Sequence, residues 1–428
     1  MPRPRIVSLS RLCAATIALV GLALLIWHGK PLRNPPLRGD LALSALAEPP
    51  DWSGLEPYQH SIRRRDFEAL LTTIFTTGDA WRGLIQIEDH EARIHTGLPV
   101  PNDIFHLAFA TAAQASPAPH DWRATRALPP APPGKPLDGL RVAIDPGHIG
   151  GAWAILEERR LVVGTHPPVC EGDLTLQVAK LLKPRLEALG AKVSLVRENS
   201  QPLTPLRPET LLNLAKKLAP PDSTESPRKL AERLFYRTAE IHARANFVNA
   251  TLRPDLVLCL HFNAEAWGDP NNPKMVDRSH LHLLVNGAYS DDEVGLADQR
   301  FALLGRILQG SHDEEVLVGA SVAEAMAAAT GLPPFQYPAA AANARPIAKQ
   351  PYLWARNLLA NRLYQCPVIF TEPYVMNSTT DYARILAGDY AGLRQVAGKA
   401  RPSIFREYAD AITTGLSRHY SRHRKTKT

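Results

Sequence analysis

From Leu137 onward the chain alternates short apolar runs of strand length with longer segments of helical periodicity, and this alternation restricts the fold more than any other feature. "LRVAID" reads as a strand, and "LTLQVAKLLKPRLEALG" as a helix ending near Gly190, with Pro184 expected to kink it. "KVSLVR" is the next strand. A polar, Pro-rich stretch over 199–227 precedes a helix through "AERLFYRTAEIHARANFVNAT", after which "DLVLCLH" and "SHLHLLVNG" are strands. "DEVGLADQRFALLGRILQG" and "ASVAEAMAAATG" read as helices, and "WARNLLANRLYQ" leads into the strand "CPVIFTE". Strands separated by helices imply an α/β class: a largely parallel sheet covered by helices on both faces. Such sheets place their chemistry beyond the carboxyl ends of the strands.

At 428 residues the chain exceeds one ordinary domain. Residues 51–112 have the pattern of a small α+β module. "SIRRRDFEALLTTIF" sets Phe67, Leu70, Leu71 and Ile74 on one helical face, "RGLIQIE" and "EARIHTG" alternate as two strands, and "IFHLAFA" adds a third. Many of the 38 prolines fall in two linkers, 31–50 and 113–136. The expected order is therefore a leader over 1–30, a linker, the module, a second linker, a catalytic domain over 137–400, and a C-terminal helix with a basic tail over 401–428.

The leader carries Arg3, Arg5 and Arg11 ahead of the charge-free run Leu12–Trp27. It reads as an uncleaved anchor in the inner membrane, or else a signal peptide. Either one exports the remainder, to a periplasmic or other extracytoplasmic location. Those three arginines and five basic residues from Arg418 to Lys427 account for the whole net charge of +7, so the body is near neutral. A nucleic-acid-binding face on the fold is therefore not supported, and the tail is expected to be solvated. With Cys13 in the leader, Cys170, Cys259 and Cys366 can make at most one disulfide, which argues against a disulfide scaffold, and the lack of a CxxC pair argues against a zinc ribbon or a redox centre.

Three strand runs end in residues that bind metals or move protons: "RVAIDPGH" in His148, "DLVLCLHFNA" in His261 and "CPVIFTEPY" in Glu372. Glu171 opens the first long helix. If the strands are parallel neighbours, these ends meet on one sheet edge. Two histidines and a carboxylate are a ligand set for a hydrolytic Zn²⁺ with an open fourth position, and a further carboxylate off the metal serves as general base.

Over roughly residues 137–390 the same motifs resemble the zinc-dependent N-acetylmuramoyl-L-alanine amidases that cleave bacterial peptidoglycan, the type 3 catalytic domain. "VAIDPGHIGG" resembles the family's opening strand and first zinc histidine, His148, and "EGDLTLQVAKLLKPRLEALGAKVSLVR" its metal-binding glutamate, Glu171. "RANFVNATLRPDLVLCLHFNA" supplies the second histidine, His261, and "CPVIFTEPYVMNS" the catalytic Glu372. The resemblance implies Zn²⁺ on His148, Glu171 and His261, hydrolysis of the amide between the muramoyl lactyl group and L-alanine, and Glu372 as acid–base. It also leaves room for an activator protein of unknown identity. Two alternatives stand beside it: a non-catalytic wall-binding protein on the same fold, or a zinc amidase or peptidase for another amide.

The sequence departs from the family where Ile149 follows the histidine and where "GGAWAILEERRLVVGTHPPVC" lengthens the gap to Glu171, making Glu157 and Glu158 rival ligands. Segments 199–227 and 310–350 read as insertions. Cys259 is expected to pack, Arg244 and Asn249 to brace a helix, and Asn263 and Asn377 to tie down loops. His280 and His282 are candidates for an additional ligand role.

Overall fold

The computed structural model describes residues 42–111, 118–220, 223–339 and 341–425. The leader 1–30 and the disputed span Leu12–Trp27 lie outside the described residues, among which no helix is long and apolar enough to cross a membrane.

The N-terminal module contains helix α1 (Arg64–Leu70), extended by a π-helical turn to Phe75, and strands β1 (Ile85–Ile87), β2 (Glu91–His95) and β3 (Ile104–Ala108). The strands form an antiparallel three-stranded meander. The helix buries Phe67, Leu71 and Phe75, one face at intervals of four.

Next come β4 (Arg141–Pro146), the short antiparallel pair β5 (Arg160–Leu161) and β6 (Val169–Cys170), helix α2 (Glu171–Ala188), and β7 (Lys192–Leu195). Helices α3 (Pro208–Leu218), α4 (Pro227–Arg233) and α5 (Glu240–Phe247) follow, the last two joined by a π-helical turn. Then come β8 (Leu256–Leu260), β9 (Leu281–Val285), α6 (Ala297–Gln309) and α7 (Ser311–Thr330). The chain ends with β10 (Arg345–Pro346), β11 (Leu353–Ala355), β12 (Val368–Pro373), α8 (Thr379–Leu386), the small hairpin β13 (Arg394–Val396) and β14 (Lys399–Arg401), and α9 (Ile404–His423).

The main sheet has the order β10-β11-β9-β12-β8-β4-β7. Strands β12, β8, β4 and β7 are parallel, as expected. Strand β9, however, runs antiparallel to β12, and β11 follows β9 in that reversed direction. A strand buried on both faces reads as a continuous apolar run whichever way it points, so periodicity could not reveal the reversal. The segment "WARNLLANRLYQ" is likewise not one helix, because Trp354 and Ala355 belong to β11. Helix α2 runs through Pro184.

Both sheet faces are covered. On one, Val142, Ile144, Leu258, Leu283 and Ile369 pack against α2, α7 and α9 through Val178, Leu182, Val322, Tyr408 and Ile412. On the other, Ala143, Val257, Cys259, Leu284 and Phe370 meet Ala245, Val248, Ala360 and Tyr364. Helix α7, inside the stretch 310–350 read as an insertion, is thus part of the sheet's covering layer.

Two segments read as separate units are packed into this body. The module's Phe67, Leu71, Phe75 and Leu107 share one apolar cluster with Tyr289, Leu303, Leu304 and Ile307, most of it along α6. Residues 118–136 of the Pro-rich stretch form a strap across the sheet's amino edge. Its Trp122 is buried, and Arg123 and Arg141 both clamp Asp255, at 2.6 and 2.7 Å. At the C-terminus Arg418 and Arg422 lie on α9, and Arg424 is buried, donating to Pro129 O at 2.6 Å and Pro136 O at 3.0 Å.

Candidate metal centre

The register of the parallel strands brings the sequence-predicted residues together. Pro146 pairs with Leu260, and Leu260 with Thr371, so His148, His261 and Glu372 follow one another across adjacent strand ends. The His261 N–H donates to Thr371 O at 3.0 Å, and its ring stacks on Phe370 at a centroid separation of 5.3 Å.

His148 lies two residues beyond β4 with φ of +58°, a left-handed conformation that costs roughly 1–2 kcal/mol for an L-residue. Two buried arginines tie down its turn. Arg244 donates to Pro146 O and His148 O at 2.9 Å each, and to Asp145 Oδ1 and Glu240 Oε1 at 2.8 Å each. Burial opposes the charge of Arg244, but Asp145 and Glu240 more than compensate and raise its pKa. Tyr364 donates to the other Asp145 oxygen at 2.5 Å. Arg197, beyond β7, reaches Pro146 O at 3.0 Å, Gly147 O at 3.2 Å and Gly172 O at 2.5 Å. Gly147 is required by closeness: a Cβ there would lie 2.3 Å from His261 Cε1 and 2.6 Å from Leu260 O.

Glu171 is the first residue of α2, where the helix dipole favours a carboxylate. Its Oε2 is 3.2 Å from His148 Nε2 and its Oε1 3.1 Å from His261 Nδ1, and Oε1 also accepts the Phe262 N–H at 3.1 Å. Arg159 Nε approaches Oε2 at 3.3 Å. The His148 and His261 rings meet edge-on, 5.2 Å between centroids. One donor atom from each of His148, Glu171 and His261 lies within 4.8 Å of the other two. Tetrahedral ligands about 2 Å from an ion are spaced at roughly 3.3 Å, so this N, O, N set fits a divalent metal with little movement. Glu171 is buried, whereas each imidazole keeps 18% of its side-chain surface exposed, which opens the cluster to solvent.

Glu157, a rival ligand in sequence, lies on the other side of His148. Its Oε1 is 3.5 Å from His148 Nδ1 and accepts the Ile149 N–H at 2.8 Å, while Oε2 accepts the Gly150 N–H at 3.0 Å. Burial works against the charge on His148, but Glu171 and Glu157 outweigh it and push the pKa up to about 9. Burial also opposes the negative charge of Glu171, and the two histidines overcome it, holding its pKa well below the usual range. Glu158 is at the surface, paired with Lys229 at 3.0 Å.

Glu372 stays outside the three-residue cluster. Burial pushes its pKa up, with Glu171 adding to the rise while His261, His148 and Arg356 oppose it. In the antiparallel β9–β12 pairing it lies opposite His282, on the same face. His280 and His282 are therefore not among the clustered ligand atoms. They share the Asn263 amide, whose Nδ2 is 3.4 Å from His280 Nδ1 and 3.3 Å from His282 Nδ1. Burial, His280 and Arg356 hold the His282 pKa well below its ordinary value. Asn377 is buried between Glu265 N and Lys274 O, and Asn249 bridges Leu363 O and Gln365 N, each at 2.9 to 3.0 Å. Cys259 is buried in the sheet core.

Arg197, Asp145 and the orienting place of Glu157 are absent from the sequence reading. Arg197 carried a usable signal, since "KVSLVR" is one more apolar run ended by a polar residue. Glu157 was legible only as a rival ligand, because its orienting contact with His148 depends on how the intervening loop folds back.

The sequence matches no protein-family profile and no curated protein. Among solved structures it is similar to the N-acetylmuramyl-L-alanine amidase Ami1 of Mycobacterium smegmatis, at 19% identity and a TM-score of 0.37 over 67% of this chain and 99% of that one. The CwlD amidase of Clostridioides difficile, in complex with the GerS lipoprotein, gives 12% and 0.37 over 66% and 98%. The amidase AmiC2 of Nostoc punctiforme gives 15% and 0.34 over 67% and 98%.

Proposed function

We propose that the protein is a zinc-dependent hydrolase of the peptidoglycan amide between N-acetylmuramic acid and L-alanine, acting outside the cytoplasm and held at the inner membrane by its leader. The observation that carries this reading is the convergence of His148, Glu171 and His261 donor atoms within 4.8 Å, with Glu372 on the adjacent strand end. The substrate class comes from the motif resemblance.

On this reading His148, Glu171 and His261 hold the ion. Bound Zn²⁺ supplies a Lewis acid for the amide carbonyl and brings the pKa of a ligated water down toward ~7. Glu372 accepts the proton of the attacking water and returns it to the leaving amine. Its burial suits it to both halves of that transfer, because a carboxyl with a raised pKa is a better base when ionised and retains the proton long enough to donate it. Glu157 orients His148 through Nδ1, leaving Nε2 for the ion. Arg197 and Arg244 hold the turn that presents it.

The full chain should contain about one zinc per molecule and release peptide from purified peptidoglycan. Glu372→Ala should abolish turnover and retain zinc, while a His148→Ala, His261→Ala double variant should lose both. Full activity in Glu372→Ala, or metal retained by the double variant, would refute the assignment.

A further inference from the structure

We propose that the Tyr337 hydroxyl is a substrate-binding donor, aimed at the carbonyl oxygen of the amino acid whose nitrogen is released. This deepens the preceding reading and rests on Glu372 being the proton donor to that nitrogen.

The direction of each hydrogen bond around His282 follows from one amide. The Ala264 N–H donates to Asn263 Oδ1 at 3.0 Å, which turns Nδ2 toward two imidazoles, 3.4 Å from His280 Nδ1 and 3.3 Å from His282 Nδ1. An amide nitrogen only donates, so both Nδ1 atoms accept. His282 is held neutral, because burial, His280 and Arg356 keep its pKa well below the ordinary value. A neutral imidazole that accepts at Nδ1 carries its proton on Nε2. That proton is donated to Tyr337 Oη, 3.3 Å away. Arg356 Nη1 donates to the same oxygen at 3.2 Å. The arrangement is consistent at His280 too, whose Nε2 faces the acceptor Glu265 Oε1 at 3.4 Å.

A phenol oxygen has two lone pairs and one proton. Both lone pairs of Tyr337 are occupied, and its proton meets no acceptor among the described residues. Burial raises the phenol pKa, with Arg356 opposing and Glu372 adding to the rise, so the proton stays in place. The ring is packed between Phe335 and Trp354, each at a centroid separation of 4.9 Å, which fixes where the hydroxyl stands.

That place is beside the chemistry. His282 lies opposite Glu372 in the β9–β12 register. Phe370 shares the face of Glu372, and the His261 ring stacks on it at 5.3 Å. The cleft thus has a candidate metal ligand on one flank, Glu372 in the middle, and His282 with Tyr337 on the other. A proton donor must come within hydrogen-bond reach of the nitrogen it protonates, so the released residue extends from Glu372 away from His261. From Glu372 the hydroxyl is one cross-strand spacing of about 5 Å and one further hydrogen bond away. A single amino acid, hydrogen-bonded at its nitrogen and at its carbonyl oxygen, spans roughly 9 Å. The first residue of the released peptide fits that interval, and its carbonyl oxygen is the acceptor at the phenol. The site accordingly selects an α-aminoacyl leaving group over a plain amine.

The test uses the full zinc-loaded chain and two muramoyl substrates, one with the carbonyl of the first amino acid intact and one with it reduced to a methylene. Wild type should favour the intact substrate by about five- to tenfold in kcat/KM, the scale of one hydrogen bond. Tyr337→Phe should lose that factor on the intact substrate and less than about twofold on the reduced one. An equal loss on both would overturn the proposal and leave Tyr337 as a packing residue. A second measurement needs no variant and no turnover: the imidazole ¹⁵N shifts of wild type should show His282 as the Nε2–H tautomer. The Nδ1–H tautomer would overturn the proposal, because Tyr337 would then give its proton to Nε2. Absence of wild-type turnover on both substrates would refute the amidase reading and the proposal together, a result distinct from turnover with equal losses.

Discussion

Glu157 faces His148 from the side opposite Glu171, so the two ring nitrogens of one imidazole are each addressed by a different buried carboxylate, Nδ1 at 3.5 Å and Nε2 at 3.2 Å. The same Glu157 carboxylate accepts two backbone N–H groups of the loop that follows. Outer carboxylates of this kind set the tautomer and direction of a metal-ligating histidine, and losing one costs about 10–100-fold in metal affinity. Glu157→Gln should weaken zinc binding by that factor in a competition titration with a chelator. Glu158→Gln, altering a surface pair with Lys229, should leave the affinity within about twofold.

Gly147 tests the closeness of the two histidine-bearing segments. A Cβ at this position would overlap the His261 ring and the Leu260 carbonyl. Gly147→Ala should destabilise the fold by roughly 1–3 kcal/mol and reduce bound metal, read by thermal unfolding and metal analysis. Gly305→Ala on α6, where nothing lies within 4 Å of the added carbon, should be neutral or slightly stabilising.

The shared cluster between the module and α6 predicts that the catalytic portion does not stand alone. A fragment beginning at Leu137 uncovers Tyr289, Leu303, Leu304 and Ile307 and also lacks the Arg123 contact with Asp255. It should bind a hydrophobic dye, aggregate, and unfold at lower temperature than a chain beginning near residue 42. A fragment with unchanged solubility and melting temperature would contradict the packing described here.

His419 provides a pH dependence with a definite sign. On α9 it meets Thr125 Oγ1 of the strap at 2.9 Å, and Thr125 also donates to Glu314. Burial, reinforced by His423, lowers its pKa to about 4. An unfolded histidine titrates near ~6.5, so between these values the unfolded chain binds the extra proton. This contribution is complete above pH ~6.5 and is lost as the pH falls toward 4, on the order of 2–3 kcal/mol. Urea unfolding at pH 7 and pH 4.5 should show a smaller loss of stability in His419→Gln than in wild type.

The four residues of the proposed site were legible because each interrupts a local pattern. His148, His261 and Glu372 end apolar runs, and Glu171 begins a helix at the position its dipole favours. The supporting contacts were hidden for the opposite reason. Arg244 was legible as a brace, but Asp145 looks like an ordinary polar residue at a strand end, and only the 2.8 Å contact between them, across 99 positions of sequence, reveals which strand the brace holds.

The sequence by itself determined the alternation of strands and helices, the three-stranded module, and the residues standing at the carboxyl ends of β4, β8 and β12. These depend on periodicity and on breaks in it, which are local properties. Tertiary structure alone decided that β9 runs against β12 and thereby brings His282 opposite Glu372, and that the module and the Pro-rich strap are built into the body. The physical reason is that strand direction and shared cores arise from pairings between distant segments, and a fully buried strand or an apolar helix face has the same composition whichever partner it meets.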